Sequence, residues 1–310
     1  MFDRLMSKLR VRRSVLVLVA VAGGAAASAQ AGEGLFGFVY TLDTQPKGTY
    51  ELEQRVDVTH GQAVGGYNLG LYRTELEYGL TDNLQIAGYV NVFSIDASRN
   101  YLSPEMCENR IPCTAGFGVP SSAHDANSYH RVEVDGGSVE AIWRLSNPVT
   151  SPVGVGLYVE PTLGKLEDEL EVRLLLQSNF IDDRLILAAN FLYEPEREKY
   201  DPAGVIRNSM GDILYGASYR FASRWSAGFE GRFHTDHDGY FWNKLVQIAN
   251  FVGPDLHYAD QKWWATLSWR HQLSGRCYND GTADCAEGYN MVWDNHGRDQ
   301  FVLKFGLPFE

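Results

Sequence analysis

The residues that most constrain the fold run from Tyr72 to Phe93, YRTELEYGLTDNLQIAGYVNVF. Thr74, Leu76, Tyr78 and Leu80 share one face of an extended chain, and Arg73, Glu75 and Glu77 share the other. After Thr81-Asp82-Asn83 the pattern resumes, with Leu84, Ile86, Val90 and Val92 set against Gln85, Ala87, Tyr89 and Asn91. Successive side chains of a strand point to opposite faces, so this spacing predicts an antiparallel hairpin with one apolar and one polar face. A face this charged is costly to bury in a dry interior.

The same unit repeats along the chain. A first strand spans Thr49 to Val58, and another runs from Arg131 to Leu145 with a phase shift at Gly136-Gly137 that predicts a β-bulge. Alternation then recurs near 153–159, 170–176, 185–193, 213–221, 225–233, 247–258, 263–269 and 301–309, which makes twelve strands. Asn147–Pro152, Ile181-Asp182-Asp183, Ala222-Ser223-Arg224 and Asp260-Gln261 are short turns, all expected on one side. EREKYDPAGVIRN, HTDHDGYFWNK and two cysteine-bearing segments are expected to be long loops on the other. An even strand number, short turns opposite long loops and a continuous outward apolar band predict an all-β, antiparallel transmembrane barrel with both termini periplasmic. A soluble sandwich would need both inner faces dry, and here the second face carries Glu, Arg, Gln and Asn. Tyr78, Trp143, Tyr193, Phe221, Trp225, Tyr258 and Trp263 near strand ends suit interfacial girdles.

The N-terminus reads as an export signal. Arg4, Lys8, Arg10, Arg12 and Arg13 precede an apolar Val15–Ala22 and a small-residue tail, with cleavage expected after Ala29 or Ala31. The expected organisation is a signal peptide over 1–31, a periplasmic lead-in over 32–47 and the barrel over 48–310. Removing 1–31 takes away five basic residues and Asp3, moving the net charge from −12 to about −16. With no clustered basic run, this balance argues against nucleic acid. After residue 31 no run approaches the ~18 apolar residues that a membrane helix needs. Four cysteines stand in two close pairs, and export favours disulfides Cys107–Cys113 and Cys277–Cys285 over a metal site.

Candidate chemistry lies on the polar face: Glu51, Glu53, Arg55, Arg73, Glu75, Glu77, Glu140, Arg144, Glu160, Glu171, Arg173, Arg220, Glu230, Arg232, Asp255, His257, Arg270 and Lys304. In a narrow barrel these residues either form a structural network that plugs the bore or line a selective constriction. His234, Asp236, His237 and Asp238 could in principle hold a divalent metal but read more simply as a solvated loop. Ser268 and His257 fall on neighbouring strands without a G-x-S-x-G or other nucleophile signature, so no catalytic residue is assigned. No cofactor motif is present.

Pro46-Lys47-Gly48 before Glu51, Glu75 with Glu77-Tyr78-Gly79-Leu80-Thr81-Asp82 and Leu84-Gln85, and Phe251-Val252-Gly253-Pro254 with His257-Tyr258 resemble proteobacterial outer-membrane barrels of unassigned function. These are grouped loosely with transporter barrels of the phenol-degradation MetA type. The resemblance implies a Gram-negative outer-membrane location, contact with outer-membrane lipid and the barrel-assembly machinery, and passive passage of a small solute. Such barrels usually end on an aromatic residue, whereas Glu310 follows Phe309 here. The alternatives are a barrel enzyme acting on lipid or peptide, and a structural or surface barrel.

Overall fold

A computed structural model describes residues 34–62, 65–98, 116–123, 128–278, 287–288, 290–293 and 297–310. The signal-peptide reading of 1–31 lies outside the described residues, as do Cys107, Cys113 and Cys285 and hence both disulfide pairings.

The strands are β1 (Tyr50–His60), β2 (Gly66–Thr81), β3 (Leu84–Ser98), β4 (Ser128–Ser146), β5 (Gly154–Leu163), β6 (Glu167–Phe180) and β7 (Leu185–Glu198). They continue with β8 (Ile206–Ala222), β9 (Trp225–Asp238), β10 (Lys244–Ala259), β11 (Trp264–Cys277), a two-residue pair β12 (Glu287–Gly288) and β13 (Met291–Val292), and β14 (Asp299–Phe309). Twelve of them close a barrel in the order β1-β14-β11-β10-β9-β8-β7-β6-β5-β4-β3-β2, with every neighbour antiparallel. Closure runs in unbroken register from Tyr50 opposite Phe309 to His60 opposite Asp299. Closing the sheet removes both edges, which would otherwise leave unpaired backbone groups in hydrocarbon.

Alternation sorts the side chains as the sequence requires. On β2, Leu76 and Leu80 face outward and are exposed, while Glu75 and Glu77, on either side of Leu76, are buried inside. The outward band continues through Leu157, Leu174, Phe191, Ile213, Leu267 and Leu303. At the short-turn end Tyr50 stacks on Phe309 at 5.5 Å, and Trp225, Tyr258, Trp263 and Phe305 form a chain with centroids 4.9, 4.6 and 5.7 Å apart. Amphipathic rings at that height form an interfacial girdle. The β4 bulge falls beside Gly136, where Asp135 is the extra residue. Asp135 Oδ1 accepts the amides of Lys165 and Leu166 at 2.8 and 3.0 Å, so the bulge holds the β5–β6 turn.

Three expectations need correction. Short turns are not confined to one end, because the β5–β6 connection of 164–166 lies on the long-loop side. Two segments expected as loops begin as strand: β7 continues to Glu198 and β9 to Asp238, since both preserve the period of two beyond their last apolar residue. The lead-in does not hang below the barrel. Residues 34–45 lie inside it, and Lys47 emerges at the short-turn rim beside Asp82.

Candidate functional site

The lumen is occupied by the protein's own chain. From Gly34 the N-terminal segment makes nearly one circuit of the inner wall before joining β1. Thr266 on β11 donates to the Gly34 carbonyl. Glu230 on β9 accepts the amides of Gly37, Phe38 and Val39 at 3.0, 2.9 and 3.1 Å. Asn190 on β7 grips Tyr40 from both sides, accepting its amide at 2.7 Å and donating to its carbonyl at 2.9 Å. Gln177 on β6 accepts the Leu42 amide at 2.6 Å, Arg144 on β4 donates to the Leu42 carbonyl at 3.1 Å, and Gln85 on β3 accepts the Gln45 amide at 2.9 Å. The barrel wall thereby satisfies backbone groups that a buried, non-sheet segment would otherwise leave unpaired.

Apolar contacts seat the same segment. Leu35, Phe36 and Val39 pack on Ala188, Leu192 and Leu214, and Leu42 packs on Ile142, Tyr158 and Leu175. Two glycines permit the close approach. A Cβ on Gly37 would stand 2.5 Å from Ser268 Cβ, and one on Gly216 would stand 2.7 Å from the Phe36 ring. Arg270 lies over Phe38 at 3.2 Å from the ring centroid, and Arg173 over Tyr40 at 4.7 Å while donating to the Phe38 carbonyl at 3.1 Å.

The long-loop end is also capped. Phe117 and Val119 fold inward onto Tyr67, Leu69, Phe93, Ile95, Ala97 and Leu166, and the Tyr67 hydroxyl donates to the Phe117 carbonyl at 2.8 Å. Val292 packs on Val246, Ala249 and Phe251, and exchanges hydrogen bonds of 2.7 and 3.1 Å with Gln272. Between this cap and the N-terminal segment lies a cavity of about 250 Å³.

Seven acids, Asp57, Asp135, Glu167, Glu169, Glu171, Glu194 and Asp212, and five arginines, Arg55, Arg73, Arg173, Arg232 and Arg270, line that cavity. Arg55 pairs with Asp57 at 2.7 Å, Arg173 with Glu171, Arg232 with Asp212, and Arg73 reaches Glu160 at 3.7 Å. On the β6–β7 wall, by contrast, Glu167, Glu169, Glu194 and Glu196 crowd one inner face, with Glu169 directly opposite Glu196. Among the described residues none of those four forms an ion pair. This acidic wall lies across the bore from β1 and β2, which carry Arg55 and Arg73. A charged solute in the cavity therefore meets a field that runs across the bore.

The remaining candidates fall at various heights. Glu51, Glu53, Glu75, Glu77 and Glu140 are buried inside toward the short-turn end, with Lys304 3.6 Å from Glu53. Asp255 and His257 are buried on β10, where His257 bonds Thr266 at 2.7 Å. Arg144 holds the β2–β3 turn through Asp82 and Asn83, and Arg220 is exposed at the short-turn rim instead of lining the lumen. His234, Asp236, His237 and Asp238 do not form a loop site. They lie on β9, with His234 buried inside and held by Asp212 at 2.8 Å, Asp236 inside accepting from Gln247 at 3.3 Å, and His237 on the opposite face. Ser268 donates to Glu230.

Residues 28–309 match the model of the family described as "Family of unknown function (DUF6662)". The chain belongs to that family. No curated protein matches the sequence. Among solved structures, the COG4313 outer membrane channel from Pseudomonas putida F1 is similar at 9% identity, with a TM-score of 0.55 over 86% of this chain and 97% of that one. The NanC porin gives a TM-score of 0.47 at 9% identity, and the KdgM porin 0.43 at 11%, each over 84% of this chain and 99% of theirs. The fold of this DUF6662 member is thus that of outer-membrane barrels.

The sequence reading includes Glu230, Arg144, Arg173 and Arg270 among the inward charges but misses Asn190, Gln177 and Gln85, which also seat the N-terminal segment, and Glu167, Glu169, Glu194 and Glu196 of the β6–β7 wall. One signal was available: GLFGFVYTLDTQP holds a single charge, Asp43, which is too apolar for a solvated lead-in. A second was the spacing of Glu167, Glu169 and Glu171 and of Glu194, Glu196 and Glu198, three inward positions on each strand.

Proposed function

We propose that this protein is a passive outer-membrane channel for small cationic or zwitterionic solutes, closed at rest by its own N-terminal segment. The observation that carries the reading is the ring of side chains from β3, β4, β6, β7, β9 and β11 that holds residues 34–45 across the bore. A segment bound by side chains, without ladder pairing, can leave and return without breaking the barrel. The acid surplus in the cavity, seven against five, supports cation preference once the segment moves. In this reading the signal peptide delivers the chain to the periplasm of a Gram-negative cell. The assembly machinery then inserts it with both termini and the short turns periplasmic, and the cysteine-bearing loops, each closed by its disulfide, face outward.

Planar-bilayer recording tests the reading. Full-length protein is expected to stay mostly closed, and protein lacking 34–45 to conduct with a reversal potential on the cation side in asymmetric salt. A folded deletion variant that stays closed sinks the plug, and an anion-selective pore sinks the role given to the acids.

A further inference from the structure

Beneath the N-terminal segment, at the short-turn end, three carboxylates converge. Glu51 on β1 stands opposite Glu77 on β2, and Glu53 follows on the same inner face. One ligand oxygen from each lies within 4.8 Å of the other two. Relative exposures are 0% for Glu51, 3% for Glu53 and 8% for Glu77. Like charges directly across a strand pair repel, and burial sharpens that repulsion. Lys304 is the ammonium at hand, 3.6 Å from Glu53, but Glu75 and Glu140 share its surroundings and add two more acids.

The second observation concerns acceptors. Glu51 spends one oxygen on Trp264 Nε1 at 2.8 Å, while its other oxygen, Oε2, is buried with no hydrogen-bond partner. Gln45 of the N-terminal segment donates to Glu77 at 3.2 Å, and its own buried Oε1 is also without a partner. Two buried acceptors thus stand at this cluster without a donor. A cation takes acceptors directly.

The geometry points to a divalent-cation site formed by Glu51, Glu53 and Glu77, with calcium as the fitting ion. The donor set is all oxygen, which selects a hard cation. Calcium accepts about six to eight oxygens in irregular geometry, whereas magnesium demands a near-ideal octahedron and keeps several waters, so three carboxylates fixed by two strands suit calcium. An adjoining void of about 40 Å³, bordered by Glu53 and Glu77, has room for water to complete the coordination. Because Gln45 is tied to Glu77, the ion clamps the N-terminal segment to β1 and β2. That clamp rests on the plugged-channel reading, whereas the ion site does not.

The test uses full-length protein in detergent, stripped with a chelator and titrated calorimetrically with calcium chloride and then magnesium chloride. One calcium per chain is expected, in preference to magnesium. Glu51→Gln and Glu77→Gln should each weaken binding about tenfold or more, because affinity follows the count of charged ligands. The pair Glu167→Gln with Glu196→Gln, in the other acidic cluster, should leave it unchanged. If Glu51→Gln fails to fold, terbium in the wild type serves instead: its emission, excited through the adjacent Trp264, should appear and be quenched by calcium. No calcium uptake up to about 10 mM, beyond the weakest extracellular modules, overturns the site, and so does binding that follows Glu167 and Glu196. Calcium binding in a protein that never conducts, even without residues 34–45, would overturn the channel and keep the site. Conductance without calcium binding would do the reverse.

Discussion

Glu230→Ala isolates the contact that holds the bore shut. The carboxylate is fully buried and accepts three consecutive amides, those of Gly37, Phe38 and Val39, at 2.9–3.1 Å. A hydrogen bond to a charged group contributes about 1.5–3 kcal/mol net. One such bond alone would raise the open fraction at least about tenfold, and three at the low end about a thousandfold, since each 1.4 kcal/mol is a factor of ten. Arg270 on the Phe38 ring and Arg173 on Tyr40 remain, so the segment is loosened but not lost. Glu230→Gln keeps one carbonyl acceptor and should fall between wild type and Glu230→Ala. Single-channel open probability is the assay, with gel heat-modifiability as the check that the barrel has folded. A folded Glu230→Ala protein that opens no more often than wild type refutes the reasoning.

Leu174→Arg, mid-strand and facing lipid, should cost roughly 2–4 kcal/mol of folding stability in bilayers. Arg173→Leu should instead raise conductance, because it removes the bond to the Phe38 carbonyl; equal effects of the two on folding would reverse the inside–outside assignment. Gly37→Val should also open the pore while leaving barrel stability unchanged, since its side chain would overlap Ser268 in the closed state, an overpacking cost of about 1–3 kcal/mol. Protease added to intact cells should cut within 94–129 or 275–297, and cutting at the 82–83 or 223–224 turns would invert the proposed orientation.

The barrel was legible because one period governs it everywhere. Leu76 and Glu77 must point apart in any strand, and a chain that repeats this twelve times has few ways to bury one face. Loop reading failed where that rule was dropped too early. The start of EREKYDPAGVIRN reads as loop because charged residues suggest solvent, yet Glu196 and Glu198 keep the inward phase of Ala188, Asn190 and Leu192 and extend β7. HTDHD failed for the same reason on β9.

What filled the lumen was harder to read, because alternation says which residues face inward and nothing about what they meet there. Glu230 and Arg232 look alike as inward charges, but one holds three backbone amides of the N-terminal segment and the other pairs with Asp212 on the neighbouring strand. Asn190, Gln177 and Gln85 carry no charge and so stood outside a search for charged lining. Amides are nonetheless well suited to this task, since each offers a donor and an acceptor to a segment that has no ladder partner. The segment itself shows no period, because a chain held by side chains from six strands need not present its own side chains at regular intervals. Its mark in the sequence is composition: aromatic and aliphatic residues with glycines at 34 and 37, followed by the first charged strand. In a barrel whose polar face turns inward, an apolar stretch just before β1 has two places to go, the membrane or the bore. Glu230, Asn190 and Gln177 face the bore, and they bind its backbone there.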